Sequence, residues 1–355
     1  MLGGLFSGAK QSILLGVDIS SSAVKMLELS RGGMGYRVEH YAVLPLPANS
    51  VTDDGIADID VVAEVVANVH RKSRSKIKQC AVAVSGSAVI TRVIEMPADL
   101  NEEELESQIE IEADQYIPYP LDEVALDFEV IAPVEGNEAT SEVLVAACRR
   151  ETVDARVEVL EFAELEAKVV DIKSYAIERS YELAADHYGM DDNSCVAIVD
   201  IGALTTNLSV LVGGETVFTR EQTLGGTQLT DEIQRRYGLS PEEAELAKRK
   251  GGLPEDYTSE VLAPFLEDVG QQVSRSLQFF FSASEYDDVN LILLAGGSAA
   301  MPGIADLITE KLGMRAEVFD PFAGMTFNQV IDRNALQHDA PALMVACGLA
   351  LRSFD

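Results

Sequence analysis

An apolar stretch from Ile13 to Ile19 carries its one charge, Asp18, near its end. So short an apolar run predicts a buried strand. A turn of small hydroxyl residues follows, Ser20-Ser21-Ser22, then a second strand, Val24 to Leu29, and a third, Tyr36 to Leu46, closed by Pro45 and Pro47. Val61, Val62, Val65, Val66 and Val69 recur at helical spacing, which predicts an amphipathic helix over 58–72. Cys80 to Val84 reads as another buried strand, broken by Ser85-Gly86-Ser87.

The pattern changes between Val89 and Cys148. A strand ends at Met96-Pro97, and Asn101 can cap a helix whose first turn, Glu102, Glu103 and Glu104, suits a positive helix N-terminus. That helix stops before Pro118 and Pro120, and two strands follow as a hairpin around Gly136-Asn137. The order strand, helix, strand, strand predicts a compact α+β insertion. Beyond it the sequence predicts a helix over 151–165, a strand over 168–173 and a helix to about Tyr188. Gly189 to Asn193 is a polar break and a hinge candidate.

The opening pattern then returns. Val17-Asp18-Ile19-Ser20 matches Val199-Asp200-Ile201-Gly202, 182 positions later, and Ala23-Val24-Lys25 falls on Thr205-Thr206-Asn207. A strand over 216–221, a helix near 228–237 and the apolar strand Asn290 to Ala295 repeat the order of the first half. Residues 240–286, mostly helical, form a second insertion. The chain is therefore read as duplicated.

A strand ending in Asp, a tight turn of small or hydroxyl residues, and a second strand form a phosphate clamp. Backbone N–H groups and hydroxyls of Ser20, Ser21 and Ser22 can donate to phosphate oxygens, and Lys25 adds a point charge. In the second copy Gly202 admits close backbone approach, and Thr205, Thr206 and Asn207 supply donors. Asp18 and Asp200 are the candidate seats for Mg²⁺, a hard cation that takes oxygen ligands and keeps several waters. One such turn alone would be an ordinary turn-former; two in equivalent places point to nucleotide phosphates. Leu294-Ala295-Gly296-Gly297-Ser298, followed by Met301-Pro302-Gly303, suits a flat base lying against bare backbone. Glu245 and Lys248 share a helix face and can hold a ribose and base, or simply each other. Gly225 and Gly226 complete the candidate nucleotide contacts.

Composition narrows the function. The 355 residues carry 27 Lys+Arg against 59 Asp+Glu, a net charge of −32. Binding a phosphate backbone as the main activity needs clustered cations and is excluded on that balance. Cys80, Cys148, Cys195 and Cys347 are spaced as isolated buried thiols, without a zinc or disulfide pattern. No run reaches the ~18 apolar residues of a membrane span. Residues 1–10, with Leu2, Leu5 and Phe6, are too short in apolar core for a signal peptide and read as a packed or frayed terminus, with a peripheral contact as the alternative.

The two clamps and the Leu293 to Gly303 motif resemble the actin/Hsp70/hexokinase ATPase superfamily. The insertion resembles the extra subdomain of the FtsA branch. The start through Lys25, the string Gln115-Tyr116-Ile117-Pro118-Tyr119-Pro120 and the stretch Tyr175 to Arg179 are similar to the PilM family of type IV pilus assembly proteins. That resemblance implies an actin-like α/β fold of two duplicated ribonuclease-H-like halves. It implies an N-terminal segment at 1–11, subdomain 1A at 12–88 and 149–190, the insertion 1C at 89–148, 2A at 191–226 and 287–355, and 2B at 227–286. It implies ATP and Mg²⁺ as ligands. It implies a cytoplasmic protein, peripheral to the inner membrane, that docks the short cytoplasmic N-terminal tail of PilN among other pilus components and supports twitching motility, with self-association possible. Within the insertion, Ile109, Ile117, Tyr119 and Leu121 are candidates for the peptide groove and equally for core. An FtsA-like polymerising division ATPase is the alternative, although the sequence has no amphipathic helix after Leu349. Lys173 stands where chaperone relatives place a catalytic acid, with Asp171 as the weak substitute, so slow or absent hydrolysis is expected.

Overall fold

The computed structural model describes residues 13–33, 35–52, 55–134 and 136–354; the N-terminal segment singled out above lies outside them. In the first half β1 (Leu15–Ile19), β2 (Ala23–Gly32) and β3 (Gly35–Pro45) form an antiparallel meander. A short ribbon, β4 (Val51–Thr52) and β5 (Gly55–Ile56), leads to α1 (Ile59–Ser73) and β6 (Gln79–Val84). The insertion consists of β7 (Val89–Pro97), α2 (Glu102–Ala113), β8 (Val124–Val134) and β9 (Asn137–Arg149), its sheet ordered β7-β9-β8. Asn101 caps α2 through a reciprocal pair of bonds with Glu104. Then come α3 (Arg150–Phe162), β10 (Glu166–Ile172) and α4 (Lys173–Tyr188). Lys173, expected at the end of a strand, opens the helix instead, because strand pairing with β6 ends at Ile172 opposite Val84.

The second half repeats the plan with β11 (Cys195–Ile201), β12 (Thr206–Val212) and β13 (Glu215–Gln222). Helices α5 (Gly226–Tyr237) and α6 (Pro241–Lys250), a π turn at Thr258–Leu262 and α7 (Ala263–Ala283) precede β14 (Leu291–Ala295), α8 (Ile304–Leu312) and β15 (Ala316–Val318). A two-residue strand β16 (Thr326–Phe327), α9 (Arg333–Asp339) and α10 (Met344–Leu351) follow. The sheets read β10-β6-β1-β2-β3-β16 and β13-β12-β11-β14-β15. Leaving β16 aside, the two orders correspond strand for strand. Even the register repeats: Asp18 lies opposite Lys25, and Asp200 opposite Asn207.

Alternation along the central strands explains their unbroken apolar runs. Val196 and Ile198 of β11 face one core, while Ala197, Val199 and Ile201 face another. Strands buried on both faces have no polar side to show. The first sheet packs α1 and α3 on one face, with Val62, Val66, Val69, Val159 and Leu160 buried. The second packs α5, α7 and α8 on its outer face. Between the sheets lie α4 and α10, whose Ala176, Ile177, Tyr181, Met344 and Leu349 share a core with strands of both.

The chain's end departs from the expected division. Residues from 326 on, assigned by sequence to the second half, also serve the first: β16 pairs with β3, and α10 packs on β1 and β2. The approach of α10 is close. A Cβ on Gly16 would fall on the Ala346 carbonyl oxygen, and one on Gly348 on the Ala176 carbonyl oxygen, so both positions are restricted to glycine. Gly348→Ala is therefore expected to cost about 1–3 kcal/mol or more through overpacking. Gly33→Ala, with open space around it, is expected to change little. Denaturant titration of both variants checks this.

Candidate functional site

Both copies of the strand-turn-strand motif end at one cleft of about 1850 Å³ between the halves. This exceeds the 300–1,000 Å³ typical of small-molecule pockets. The two turns are built alike: Ser20 N–H donates to the Ala23 carbonyl at 3.0 Å, and Gly202 N–H to the Thr205 carbonyl at 2.9 Å. Each turn therefore satisfies itself and leaves its outer hydroxyls and amides for a ligand. In the first, Ser20 Oγ donates to Ala23 O and accepts from Lys25 Nζ, while Ser21 and Ser22 line the opening. In the second, Gly202, Thr205 and Asn207 line it. Thr206 does not. Its hydroxyl turns inward to the Leu224 carbonyl at 2.7 Å, because the first residue of β12 points into the core.

Glycines shape the second wall. A Cβ on Gly296 would meet Asp200 Oδ1, and one on Gly226 would meet Ser298 Oγ. Gly297 and Ser298 line the cleft beside them. Gly225 does not line it; it caps α5 and lies against the Ala203 and Leu204 backbone, where no side chain fits. Gly226 N–H and Thr227 N–H donate to the carbonyls of Gly202 and Ala203, which ties the start of α5 to the second turn. Across from them Lys248 Nζ contacts Glu245 Oε2 at 2.6 Å, Thr230 Oγ1 at 2.8 Å and the Gly226 carbonyl at 3.1 Å. Glu245 and Lys248 are thus an ion pair facing the cleft.

The carboxylates carry the electrostatics. Asp18 Oδ2 is 2.6 Å from Lys25 Nζ, its neighbour across the hairpin. At the equivalent place in the second half stands Asn207, and Asp200 takes its cation from the other half instead: Lys173 Nζ of α4 lies 2.7 Å from Asp200 Oδ2. Burial disfavours both charges of that pair. Asp200 and Asp18 nevertheless hold the Lys173 ammonium above its ordinary range, and Lys173 and Lys25 hold the Asp200 carboxyl below its own. Two carboxylates alone are a sparse metal site; among the described residues no group of three or more His, Cys, Asp or Glu could cage an ion. Two carboxylates are compatible with Mg²⁺ only as a cation that would keep most of its ligands as water and phosphate oxygens, with Asp18 and Asp200 as the residues that would hold it.

Asp171 is corrected as a catalytic candidate. It is 8% exposed, does not line the cleft, and is held by Arg179 at 3.1 Å and Arg352 at 3.5 Å. Its place is structural, joining β10 to α4 and the C-terminal turn. Sequence reasoning also missed two cleft residues. Arg156, 7% exposed, donates to the Ala83 and Thr152 carbonyls. Glu178 on α4 accepts from Thr216 N–H of β13 at 3.0 Å, a second contact between the halves. The only signal for it was the position of Glu178 five residues past Lys173 on a helix whose start faces the cleft. All four cysteines are buried free thiols, as expected.

A family model described as type IV pilus assembly protein PilM matches residues 16–354. A chain in a solved PilM-PilN type IV pilus biogenesis complex superposes with a TM-score of 0.79 at 30% identity, covering 97% of this chain and 99% of that one. Ethanolamine utilization protein EutJ from Carboxydothermus hydrogenoformans superposes with a TM-score of 0.58 at 18% identity, over 97% of this chain and 93% of that one, which speaks for the fold alone. The cell division protein FtsA of Bacillus subtilis (strain 168) is 26% identical over 156 residues, 37% of this chain and 35% of its own length. That match spans about a third of the relative. The fold is the actin-like α/β fold that the family resemblance implied.

The buried Glu178 yields a pH prediction. Burial pushes its carboxyl above the ordinary range and Glu215 adds to this, against hydrogen bonds from Thr216 that pull it down. A carboxyl raised in the folded state favours folding when protonated, so this contribution is complete below the unfolded value of about 4.5 and is lost as pH rises through the folded value. Glu178→Gln, whose amide oxygen can still accept from Thr216, is expected to melt higher than the parent at pH 7. The gap is expected to close below about pH 4.5. Thermal melts across that range check it.

Proposed function

This chain belongs to the PilM family of type IV pilus assembly proteins, and from that membership we propose that it is an ATP-dependent docking protein. In this reading it binds Mg-ATP in the cleft and the N-terminal cytoplasmic tail of PilN beside it. It would act at the cytoplasmic face of the inner membrane, in the complex that supports pilus assembly and twitching motility. The observation that carries the reading is the pair of equivalent clamps, with Asp18 and Asp200 at matching registers, opening on one glycine-lined cleft. The serines of the first turn and the amides of the second would take phosphate oxygens. Glu245 and Lys248 would take the ribose and base edge, and bare backbone at Gly296 and Gly297 the face of the base. Mg²⁺, when bound, would supply charge neutralisation at the phosphates, anchored by the two aspartates.

A peptide site follows from the insertion. One face of its sheet, with Val143, Val145, Ile94 and Met96, is filled by α2. Ile109 and Ile117 are core there, and Tyr119 and Leu121 are packed against it, so the earlier groove candidates fall away. The other face carries Val93, 50% exposed, opposite Leu144 and Glu129. Toward the first half this face meets Tyr175 of α4 through Val89 and Ala146. Tyr175 and Val89 also line the nucleotide cleft. A peptide on this face would therefore share α4 with the nucleotide, and Glu129, Asp127 and Glu142 along it favour a basic or apolar tail. The known complex of a PilM chain with PilN supports that choice of partner.

Turnover is expected to be slow. Lys173 is committed to Asp200, Asp171 is sequestered and Glu178 is engaged by Thr216, so neither Asp171 nor Glu178 is free to act as a base for water. Phosphate release by the purified chain alone is expected to stay below about one turnover per minute, a small rate against the 1–10³ s⁻¹ of typical enzymes. Many turnovers per minute would contradict this. A labelled PilN N-terminal peptide is expected to bind the chain and to change affinity when Mg-ATP is added. No binding in either condition would overturn the docking reading.

A further inference from the structure

Five of the chain's 27 lysines and arginines fall within eight positions: Arg71, Lys72, Arg74, Lys76 and Lys78. They close α1 and run through the loop into β6. All five are exposed, whereas Ser73 and Ser75 are buried and Ile77 is half-buried. The backbone fixes that alternation. Arg74 adopts the left-handed conformation that ends α1, with φ of 63°. Ser73 Oγ donates to the His70 carbonyl and accepts from Ser75 N–H, and Ser75 Oγ accepts from Ile77 N–H. The serines hold the loop down and the cations stand outward. Arg71 reaches Asn68 Oδ1 and Lys72 the Val43 carbonyl. Among the described residues, none of the five forms an ion pair. Glu166, whose backbone N–H binds the Lys78 carbonyl, is itself held by Lys168 and Gln79. In a chain with 59 acidic residues, a row of five cations left without carboxylate partners is a distinct surface.

Its place in the fold is equally specific. β1 and β6 run parallel, Leu15 opposite Cys80, and both point toward the cleft. The strip precedes β6, so it lies at the end of the first sheet away from the cleft, next to where the chain enters β1. The residues ahead of Ile13 carry Leu2, Leu5 and Phe6 and a single charged side chain, Lys10.

We propose that this strip is a contact surface for anionic phospholipid headgroups, which sets the chain against a bilayer with its cleft facing away. The proposal is independent of what the cleft binds. No large apolar residue between 71 and 78 is exposed. Protein interfaces depend on buried aromatic or aliphatic anchors. A row of exposed cations without such an anchor suits a fluid layer of anionic headgroups instead. The net charge of −32 does not forbid this. Screening at physiological ionic strength acts over about 8 Å, against a radius of gyration of roughly 20 Å for a chain of this length. Only charges within that range of the bilayer are felt, and there the five cations outnumber the neighbouring Glu164 and Glu166, the latter already paired with Lys168.

The test is sedimentation of the full-length protein with vesicles of phosphatidylcholine alone or of phosphatidylcholine mixed with phosphatidylglycerol. Binding is expected only to the anionic vesicles, to fall as salt rises, and to drop at least tenfold in a variant carrying Arg71→Gln, Arg74→Gln, Lys76→Gln and Lys78→Gln. Lys76→Glu alone, at an exposed side chain, is expected to weaken binding in the same direction and guards against a misfolded multiple variant. Absence of binding to anionic vesicles would overturn the proposal. So would binding that persists unchanged in both variants, or a strip that captures a second copy of the acidic chain instead of lipid.

Discussion

Everything at the cleft depends on how closely α10 can lie against its neighbours. The helix touches β1 over Gly16 and α4 at Gly348, backbone against backbone, with no side chain between. Close-packed interiors transmit strain because they have no slack. A close joint at this depth fixes where the two sheets meet, and the turns at Ser20 and Gly202 lie at their far ends, on the cleft. The shared core of α4 and α10 belongs to both halves at once, so neither half has a complete apolar face without the other.

The duplication is near-perfect in register and unequal in charge. Asp18 is neutralised within its own hairpin by Lys25, and Asp200 by Lys173 from across the cleft. The substitution of Asn207 for a lysine in the second copy is what turns a local ion pair into a bond between halves. With the Glu178 to Thr216 contact it makes α4 the element through which the cleft and the insertion are joined. A ligand that drew Lys173 away from Asp200 would loosen one of these cross-links and strengthen another. In the proposed reading such coupling would be reciprocal: a nucleotide and a peptide would change each other's affinity by the same factor.

The sequence made the repeat legible because strand, acid, small turn and strand recur with the same chemistry at a constant offset. The acidic cap of α2 and the order of the insertion were legible for local reasons, through Asn101 and the prolines after Ile117. What it hid were features set by packing between distant segments. Thr206 shares a turn with Thr205, yet one residue of strand parity sends it into the core. Asp171 sits two positions from Lys173, yet it stays out of the cleft, held by Arg179 and Arg352. The strand at Thr326–Phe327 is too short to show any period, so the return of the C-terminal segment to the first sheet had no signal. The ion pair between Lys173 and Asp200 joins residues whose proximity exists only once both sheets have closed on α4.

The most direct test of the central claim, that two equivalent carboxylate turns clamp one nucleotide between the halves, is a calorimetric titration of Mg-ATP into the parent chain and into Asp18→Ala and Asp200→Ala. One nucleotide per chain is expected for the parent, with affinity reduced at least tenfold in each variant while the melting transition stays cooperative. Absence of saturable binding in the parent, or unchanged affinity in both variants, would contradict it.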